Sequence, residues 1–191
     1  VLDPYNDYLL LLHLDHNTDF CENATYVYDF GNLTSIVDDG KIRNDGVSID
    51  LDSGKLAGAY NSSDTGDRDG RIQLGDVDDW TGNQNITYAL WAKTIDTSGT
   101  EGIFDKYSFG VSSANDRGVR MQKNGASLEI IGNHSTAFIT STNFLVANEW
   151  THIAVTLAEN GSAYLYRNGQ FNKSGNYINI TDHNNGLILG N

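Results

Sequence analysis

The sequence contains one cysteine and one proline in 191 residues. A single thiol excludes a disulfide within the chain. The scarcity of proline leaves the 20 glycines, together with Asn and Asp, to form the turns. No run of about 18 apolar residues occurs, which excludes a membrane-spanning helix. With 39% hydrophobic residues, the composition is that of a globular protein with many short strands.

Basic residues are also scarce. The chain has 12 Lys and Arg against 25 Asp and Glu, which gives a net charge of −13. Nucleic acids and anionic lipids bind to clustered cations, so neither is expected as a partner. An acidic surface keeps a protein soluble, and binding of divalent cations is the functional alternative.

Apolar residues fall in short runs separated by Gly/Asn/Asp turns, without a sustained helical period. This pattern predicts an all-β fold of two antiparallel sheets, in one domain over residues 1–191. The predicted strands are Tyr8–Leu14, Thr25–Phe30, Val47–Leu51, Arg71–Leu74, Ile86–Thr94, Gly102–Lys106, Gly118–Lys123, Ser127–Ile131, Phe138–Thr140, Trp150–Ala158, Ala163–Arg167, Tyr177–Ile180 and Leu187–Leu189.

The most informative stretch is Asn148 to Gly169, NEWTHIAVTLAENGSAYLYRNG. It predicts a hairpin that turns at Glu159-Asn160-Gly161 and ends in a tight turn at Asn168-Gly169. Asn124-Gly125 predicts a second tight turn. Alternation along the first strand separates an apolar face from a more polar one. The apolar face consists of Thr151, Ile153, Val155 and Leu157, and the other of Trp150, His152, Ala154, Thr156 and Ala158. On the return strand, Tyr164 and Tyr166 share one face, and Ala163 and Leu165 the other.

This hairpin, W-x-H-x-A-V-T followed by Y-L-Y-x-N-G, resembles the core hairpin of the laminin-G-like, concanavalin A-like lectin jelly rolls. Ile86–Lys93, ITYALWAK, resembles the family's T-x-S-x-W-V-K strand. Leu187–Asn191, LILGN, resembles its late strand ending in I-G-N. The resemblance implies a jelly-roll sandwich of a kind that works mainly in binding.

Two departures from the family pattern matter. Asn61–Gly70, NSSDTGDRDG, replaces the family's F-D-G-x-x-D-Y-I turn. Members also continue past I-G-N with a last strand, which pairs near the opening strand, here Tyr8–Leu14. Three alternatives are open: the chain as given ends before that strand, a neighbouring subunit adds a strand beside Tyr8–Leu14, or the fold closes without it.

Asn-X-Ser/Thr sequons are more frequent than the Asn, Ser and Thr content gives by chance. Such sites accept surface glycans in exported proteins. We therefore expect an N-glycosylated extracellular protein at a cell or virion surface. Without disulfides, the pattern suits an archaeal or archaeal-virus surface better than an animal ectodomain. The eight sites are Asn23, Asn32, Asn61, Asn85, Asn133, Asn160, Asn172 and Asn179.

No catalytic motif is found. Glycosidases of this fold resemble one another in an E-x-D-x-E motif, whose spacing places carboxylates on one face of a strand. The nearest match, SLEII, contains only Glu129. G-x-S-x-G and phosphate-loop motifs are also absent. The sequence thus predicts no catalytic residue, no organic cofactor and no enzyme.

Calcium is the best metal candidate. Asp64, Asp67 and Asp69 alternate in a glycine-containing loop, and Ca²⁺ prefers carboxylate and carbonyl oxygens. The alternative is a solvated acidic turn. The family often binds a structural calcium near this turn, although its usual additional ligand would come from the last strand, past Asn191.

Sugar binding in this fold uses aromatic rings with polar groups around them. Trp80, Tyr107, Tyr164 and Tyr166 are candidates, although a core position is favoured for each. Trp91 and Trp150 fall within strands and are assigned to the core. No defined ligand site follows from the sequence.

The favoured function is non-enzymatic recognition or adhesion, with glycans or surface proteins as partners. One alternative is a structural subunit of a surface filament or coat, completed by an intermolecular strand. Another is an accessory carbohydrate-binding module of a larger secreted enzyme.

Overall fold

The computed structural model describes residues 26–27, 40–43, 47–50, 54–55, 59–62, 71–75, 85–107, 118–132, 136–177 and 186–190. These residues form strands and turns and no helix, which confirms the all-β prediction. The fourteen strands in this part of the chain are β1 (Tyr26–Val27), β2 (Gly40–Arg43), β3 (Val47–Asp50), β4 (Ala59–Ser62), β5 (Arg71–Gln73), β6 (Ile86–Ala92), β7 (Thr100–Tyr107), β8 (Gly118–Asn124), β9 (Ser127–Gly132), β10 (Thr136–Ser141), β11 (Thr151–Leu157), β12 (Ser162–Arg167), β13 (Gln170–Asn176) and β14 (Ile188–Leu189).

The chain divides into two compact units. The first comprises residues 1–78 and 184–191. In it β1, β2, β5 and β14 pair antiparallel in that order, and β3 and β4 form a separate antiparallel pair. Ile72, Leu74 and Leu187 are buried, and the Leu74 N–H donates to the Leu187 carbonyl at 2.8 Å. Apolar contact and backbone pairing therefore join the two sequence-distant parts of this unit.

The second unit comprises residues 79–183 and contains two four-stranded antiparallel arrays. One follows the order β7-β8-β9-β10, and the other the order β13-β12-β11-β6. We call the second array the β6–β13 sheet. Within it, β6 and β11 pair in a continuous register from Ala92–Thr151 at one end to Ile86–Leu157 at the other. It contains both strands of the hairpin predicted from the sequence.

Alternation in β11 and β12 produces the core of this unit. Ile153, Val155 and Leu165 are fully buried, and they lie on the predicted inner face. The rings of Tyr88 in β6 and Phe104 in β7 pack with centroids 4.4 Å apart, which brings the inner sides of the two arrays together. The predicted two-sheet antiparallel jelly-roll sandwich is confirmed.

The turns show one difference from the sequence prediction. Asn168 and Gly169 have φ of 52° and 79°, as a tight turn with two positive φ values requires. At the other hairpin, Asn124 pairs with Ser127, so the loop is Gly125-Ala126 and not Asn124-Gly125. Gly125 has φ of 60°, which matches the turn type with Gly at its first central position.

Several elements were not predicted. β2, β4 and β13 have no counterpart among the predicted strands. Tyr177, expected to start a strand, follows β13 and is buried; its hydroxyl donates to the Ala158 carbonyl at 2.6 Å, and burial raises its pKa. Tyr8–Leu14, and with it the proposed strand addition, lies outside the described residues. The single domain over residues 1–191 stays a prediction.

Candidate functional site

The outward side of the β6–β13 sheet carries a band of aromatic and small side chains. Cross-strand pairing aligns Ala89, Ala154, Tyr166 and Phe171 in one row across all four strands. The rings of Tyr166 and Phe171 meet edge to face at 6.1 Å. The two alanines thus form a low floor, with rings on one side.

Neighbouring rows place more aromatic groups around this floor. Trp91 lies opposite His152, with ring centroids 5.2 Å apart in an edge-to-face arrangement. On the other side, Tyr164 pairs with Thr156. We call this surface the aromatic face, and it is defined by Trp91, His152, Tyr164, Tyr166 and Phe171 around Ala89 and Ala154.

Three of these rings are accessible to a partner. Trp91 is 41% exposed, Tyr164 37% and Phe171 61%. The sequence-based assignment of Trp91 to the core is therefore wrong. In β6 the inward positions alternate with Thr87, Ala89 and Trp91, so Trp91 shares the outer face with two small residues. Trp150, which was also assigned to the core, is partly exposed, and the Lys93 ammonium lies 5.4 Å from its ring centroid.

A β-bulge sets the position of Phe171. Leu165 pairs with Lys173 while Tyr166 pairs with Phe171, so Asn172 is an extra residue on β13. Such a residue shifts the alternation of side chains on the bulged strand. Phe171 consequently shares the outer face with Tyr166, and the Lys173 ammonium donates to the Thr140 carbonyl on β10 at 2.6 Å.

The β6–β13 sheet is also free of acidic residues. None of its strands, with seven, seven, six and seven residues, contains Asp or Glu. The whole chain has 25 acidic residues, and the other four-stranded array of this unit contains Glu101, Asp105 and Glu129. Its aromatic face presents rings, hydroxyls and an imidazole without the negative charge that dominates the chain.

A buried lysine, Lys123, holds the loop that follows β6 in place. The Lys123 ammonium is buried and donates to the Ser98 carbonyl at 2.8 Å and to the Asp96 carboxylate at 3.2 Å. It also lies 3.0 Å from a Glu101 carboxylate oxygen. These contacts tie the loop between β6 and β7 to β8.

A second residue, Asn148, also holds this loop in place. Its backbone N–H donates to the Thr94 carbonyl at 2.8 Å, and its side-chain amide approaches the Ile95 carbonyl at 3.5 Å. Asn148 itself has φ of 63°, a conformation that Asn tolerates better than most residues. The end of β6 that bears Trp91 is therefore anchored at two points.

A shallow depression of about 280 Å³ lies at the turn between β12 and β13. It is next to the aromatic face, because Phe171 belongs to both. Arg167 supplies its charge, and the other polar side chains are the amides of Asn168, Gln170 and Asn172. The lining residues are Arg167, Asn168, Gln170, Phe171 and Asn172.

Several predicted site residues fall outside the described part. Asp64, Asp67, Asp69 and Trp80 lie there entirely, and for Tyr107 only the backbone is described. In the described residues no group of three or more His, Cys, Asp or Glu side chains could hold a metal. Glu129 accepts hydrogen bonds from the amides of Gln122 at 2.7 Å and Asn124 at 3.1 Å, which gives it a structural role.

Three sequon asparagines have described side chains. Asn85 accepts the Glu159 N–H at 3.1 Å, and Asn160 accepts the Ser162 N–H at 2.9 Å. Both lie at the Ile86–Leu157 end of the β6–β13 sheet. Asn172 accepts the Ser141 hydroxyl at 2.7 Å. The side chains of the remaining five, Asn23, Asn32, Asn61, Asn133 and Asn179, lie outside the described part.

The family model described as the concanavalin A-like lectin/glucanases superfamily, of laminin G type, matches residues 64–191. The chain belongs to this superfamily. The match includes every strand of the β6–β13 sheet and hence the whole aromatic face. The predicted resemblance is confirmed. No curated protein sequence matches the chain.

Several solved structures resemble the chain in fold at low sequence identity. The binding domain of Paraclostridial Mosquitocidal Protein 1 aligns with a TM-score of 0.60 and 17% identity, over 87% of this chain and 42% of that one. The botulinum neurotoxin serotype D ligand binding domain in complex with N-acetylneuraminic acid aligns with a TM-score of 0.62 and 12% identity, over 94% of this chain and 42% of that one. A second structure, of the botulinum neurotoxin serotype D binding domain, aligns with a TM-score of 0.57 and 16% identity, over 85% of this chain and 40% of that one.

At these identities the likeness concerns the fold. The chain spans about two fifths of the length of each of these binding domains, so it corresponds to a part of them. The described residues of this superfamily member contain no helix of the length and apolarity needed to cross a membrane.

Proposed function

We propose that the chain is a non-enzymatic recognition domain that binds glycans through the aromatic face. The observation that carries the proposal is the set of exposed rings around Ala89 and Ala154 on a sheet without carboxylates. Aromatic rings offer apolar area together with a polar edge. Ligand sites combine such area with a few placed polar groups, which here are the hydroxyls and imidazole beside the alanine floor.

The composition of the face favours sugars over a large apolar partner. Its small residues are Ala and Thr, and no Leu, Ile, Val or Met points outward from the four strands beside the rings. A pyranose ring needs a flat apolar platform with hydrogen-bonding groups at its rim, which matches this arrangement. A protein partner anchored by Trp91 and Tyr164 is the second candidate, because exposed Trp and Tyr are frequent interface anchors.

The wider context is proposed as extracellular, on an N-glycosylated surface protein acting in adhesion or recognition. The sequons and the superfamily support this setting. The toxin relatives are named as binding domains, one of them in complex with N-acetylneuraminic acid. A role as an accessory module within a larger secreted protein is compatible with the same site.

The test is a glycan array of neutral and acidic oligosaccharides, probed with the wild-type chain and with Trp91→Ala and Phe171→Ala. We expect binding that each substitution weakens by about tenfold or more, as removal of an interface anchor does. Ile95→Ala is the matched control, since Ile95 is 73% exposed but lies in the loop after β6. It should bind like the wild type.

The array is run with calcium and again with EDTA, which also tests the calcium site proposed at Asp64, Asp67 and Asp69. Loss of binding in EDTA that is reproduced by Asp→Asn changes at these three positions supports that site. If no glycan binds under either condition, the proposed function is wrong. Binding that survives both aromatic substitutions would place the site elsewhere on the chain.

A further inference from the structure

The depression between β12 and β13 is lined by a guanidinium group whose Nε has no hydrogen-bond partner. Of the five residues that line it, Arg167 alone is charged. Its Nε is buried and donates to no acceptor, and within the described residues no carboxylate lies within ion-pair distance of its guanidinium. Arg167 as a whole is only partly buried, so the rest of its guanidinium is the part that an anion in the depression could reach.

The guanidinium is also held in place. Arg167 pairs with Ile153 and Gln170, and its Cζ lies 5.7 Å from the ring centroid of buried Phe144. A cation over an aromatic face is attracted by the ring quadrupole. This contact fixes the group without using its N–H donors, which leaves the planar fork for an incoming anion.

The surrounding segment has a charge opposite to that of the chain. From Asn160 to Thr181 the sequence has Arg167 and Lys173 and no Asp or Glu. The Lys173 ammonium is engaged with the Thr140 carbonyl, and Lys173 is not among the lining residues. The depression therefore offers one localised positive group beside Phe171, within a chain of net charge −13.

We propose that this depression binds the carboxylate of an acidic saccharide of the uronic acid type. Guanidinium groups match carboxylates in a two-bond geometry. Phe171 also lines the depression, and the amides of Asn168 and Gln170 suit the hydroxyls of a sugar. This inference rests on the proposed function, and it adds a charge preference at one end of the aromatic face.

The test compares methyl glucuronide with methyl glucoside, which differ only in a carboxylate or a hydroxymethyl group on the same ring. Binding is followed by proton–nitrogen NMR at physiological salt, where the repulsion from distant carboxylates is screened. We expect the glucuronide to bind about tenfold more tightly, as charge-assisted hydrogen bonds predict. The Arg167 Nε–H signal should shift with the glucuronide and not with the glucoside.

Arg167→Gln should remove the preference for the glucuronide, so that the two glycosides bind to this variant with similar affinity. Arg167→Lys, which keeps the charge and the stem over Phe144, should retain only part of the preference and guards against misfolding of the Gln variant. Lys173→Gln is the matched control for loss of one positive charge on the same hairpin. It should behave like the wild type.

The outcomes separate the two proposals. Equal binding of both glycosides, or a preference that persists in Arg167→Gln, overturns the carboxylate site and leaves glycan binding by the aromatic face intact. Tighter binding of the glucoside sulfate ester than of the glucuronide also overturns the assignment to a carboxylate. If neither glycoside binds and the glycan array is empty, both proposals are wrong.

Discussion

At the scale of single residues, Asp96 is an exposed carboxylate with unusually good partners. Its Oδ1 accepts the Ser98 N–H at 2.7 Å and the Ser98 hydroxyl at 2.8 Å, and the Lys123 ammonium at 3.2 Å. These hydrogen bonds, led by the Ser98 backbone, lower the pKa of Asp96 below its usual 3.8. The negative charge of Asp96 therefore helps to hold the loop after β6 against Lys123 in β8.

A lowered folded-state pKa means that Asp96 stabilises the protein above its unfolded pKa, and that this contribution is lost as the pH falls through the folded pKa. We predict that Asp96→Asn lowers the unfolding midpoint at neutral pH. The difference from the wild type should shrink with acidification and vanish below the folded pKa. Urea denaturation of both proteins across the acidic range measures it.

Ser98→Ala provides the control for this prediction. It removes the hydroxyl donor and keeps both the carboxylate and the Ser98 N–H, so its effect should be smaller and should follow the same pH dependence. A difference between Asp96→Asn and the wild type that does not change with pH would show that the carboxylate charge has no part in the stabilisation.

Trp91 illustrates what a residue-level argument from sequence misses. Strand membership and size favoured the core, but alternation along β6 already groups Trp91 with Thr87 and Ala89. Counting in steps of two from the buried-type residues Ile86 and Leu90 would have placed Trp91 on the outer face.

At the scale of elements, β13 and β10 approach each other closely at Gly175. A Cβ placed on Gly175 would lie 2.1 Å from the Phe138 carbonyl oxygen and 2.8 Å from Ile139 Cγ1. Because backbone cannot yield as a flexible side chain does, Gly175→Ala should lower the free energy of unfolding by about 3 kcal/mol. Chemical denaturation with the wild type alongside measures this loss.

Gly99→Ala separates this steric effect from backbone strain. Gly99 has φ of +66° and nothing within 4 Å of a Cβ at its position, so the cost there comes from the left-handed conformation alone, about 1 kcal/mol. If the two substitutions destabilise the protein equally, the steric conflict predicted for a Cβ at Gly175 is absent.

The sequence predicted elements unevenly, and the reason is physical. β11 and β12 alternate apolar and polar residues around a turn with its own signals, so local information was sufficient to predict them. β13, QFNKSGN, is exposed along nearly its whole length and has no apolar period. It is a strand because the Asn168-Gly169 turn folds it back onto β12 and because Gly175 admits β10 beside it. Phe171 and the depression depend on this strand, so the candidate site was only partly predictable.

At the scale of the whole molecule, the acidic residues are unevenly distributed. The β6–β13 sheet contains no acidic residue although the chain carries 25. The negative field of such a chain opposes association with other acidic molecules at low salt. A sheet free of carboxylates gives ligands an approach where this repulsion is weakest, which is consistent with recognition on its outer side.

We expect only some of the sequons on this sheet to carry glycans. Asn85 and Asn160 lie at the Ile86–Leu157 end, and Trp91 is six positions along β6 from Asn85, a distance of roughly 20 Å in an extended strand. Glycans at these two sites would leave the Trp91 end open. Asn172 differs, because it lines the depression and its hydrogen bond from the Ser141 hydroxyl is part-buried, whereas the hydrogen bonds accepted by Asn85 and Asn160 are exposed.

We therefore predict that, in a secreting host with N-glycosylation, Asn85 and Asn160 carry glycans and Asn172 does not. Peptide mass spectrometry before and after enzymatic deglycosylation measures occupancy at each site. Asn85→Gln and Asn160→Gln should each remove one glycan and leave binding by the aromatic face unchanged, while Asn172→Gln should leave the mass distribution of the glycans unaltered. Full occupancy at Asn172 would contradict the prediction, because a glycan there would cover the depression and the exposed ring of Phe171.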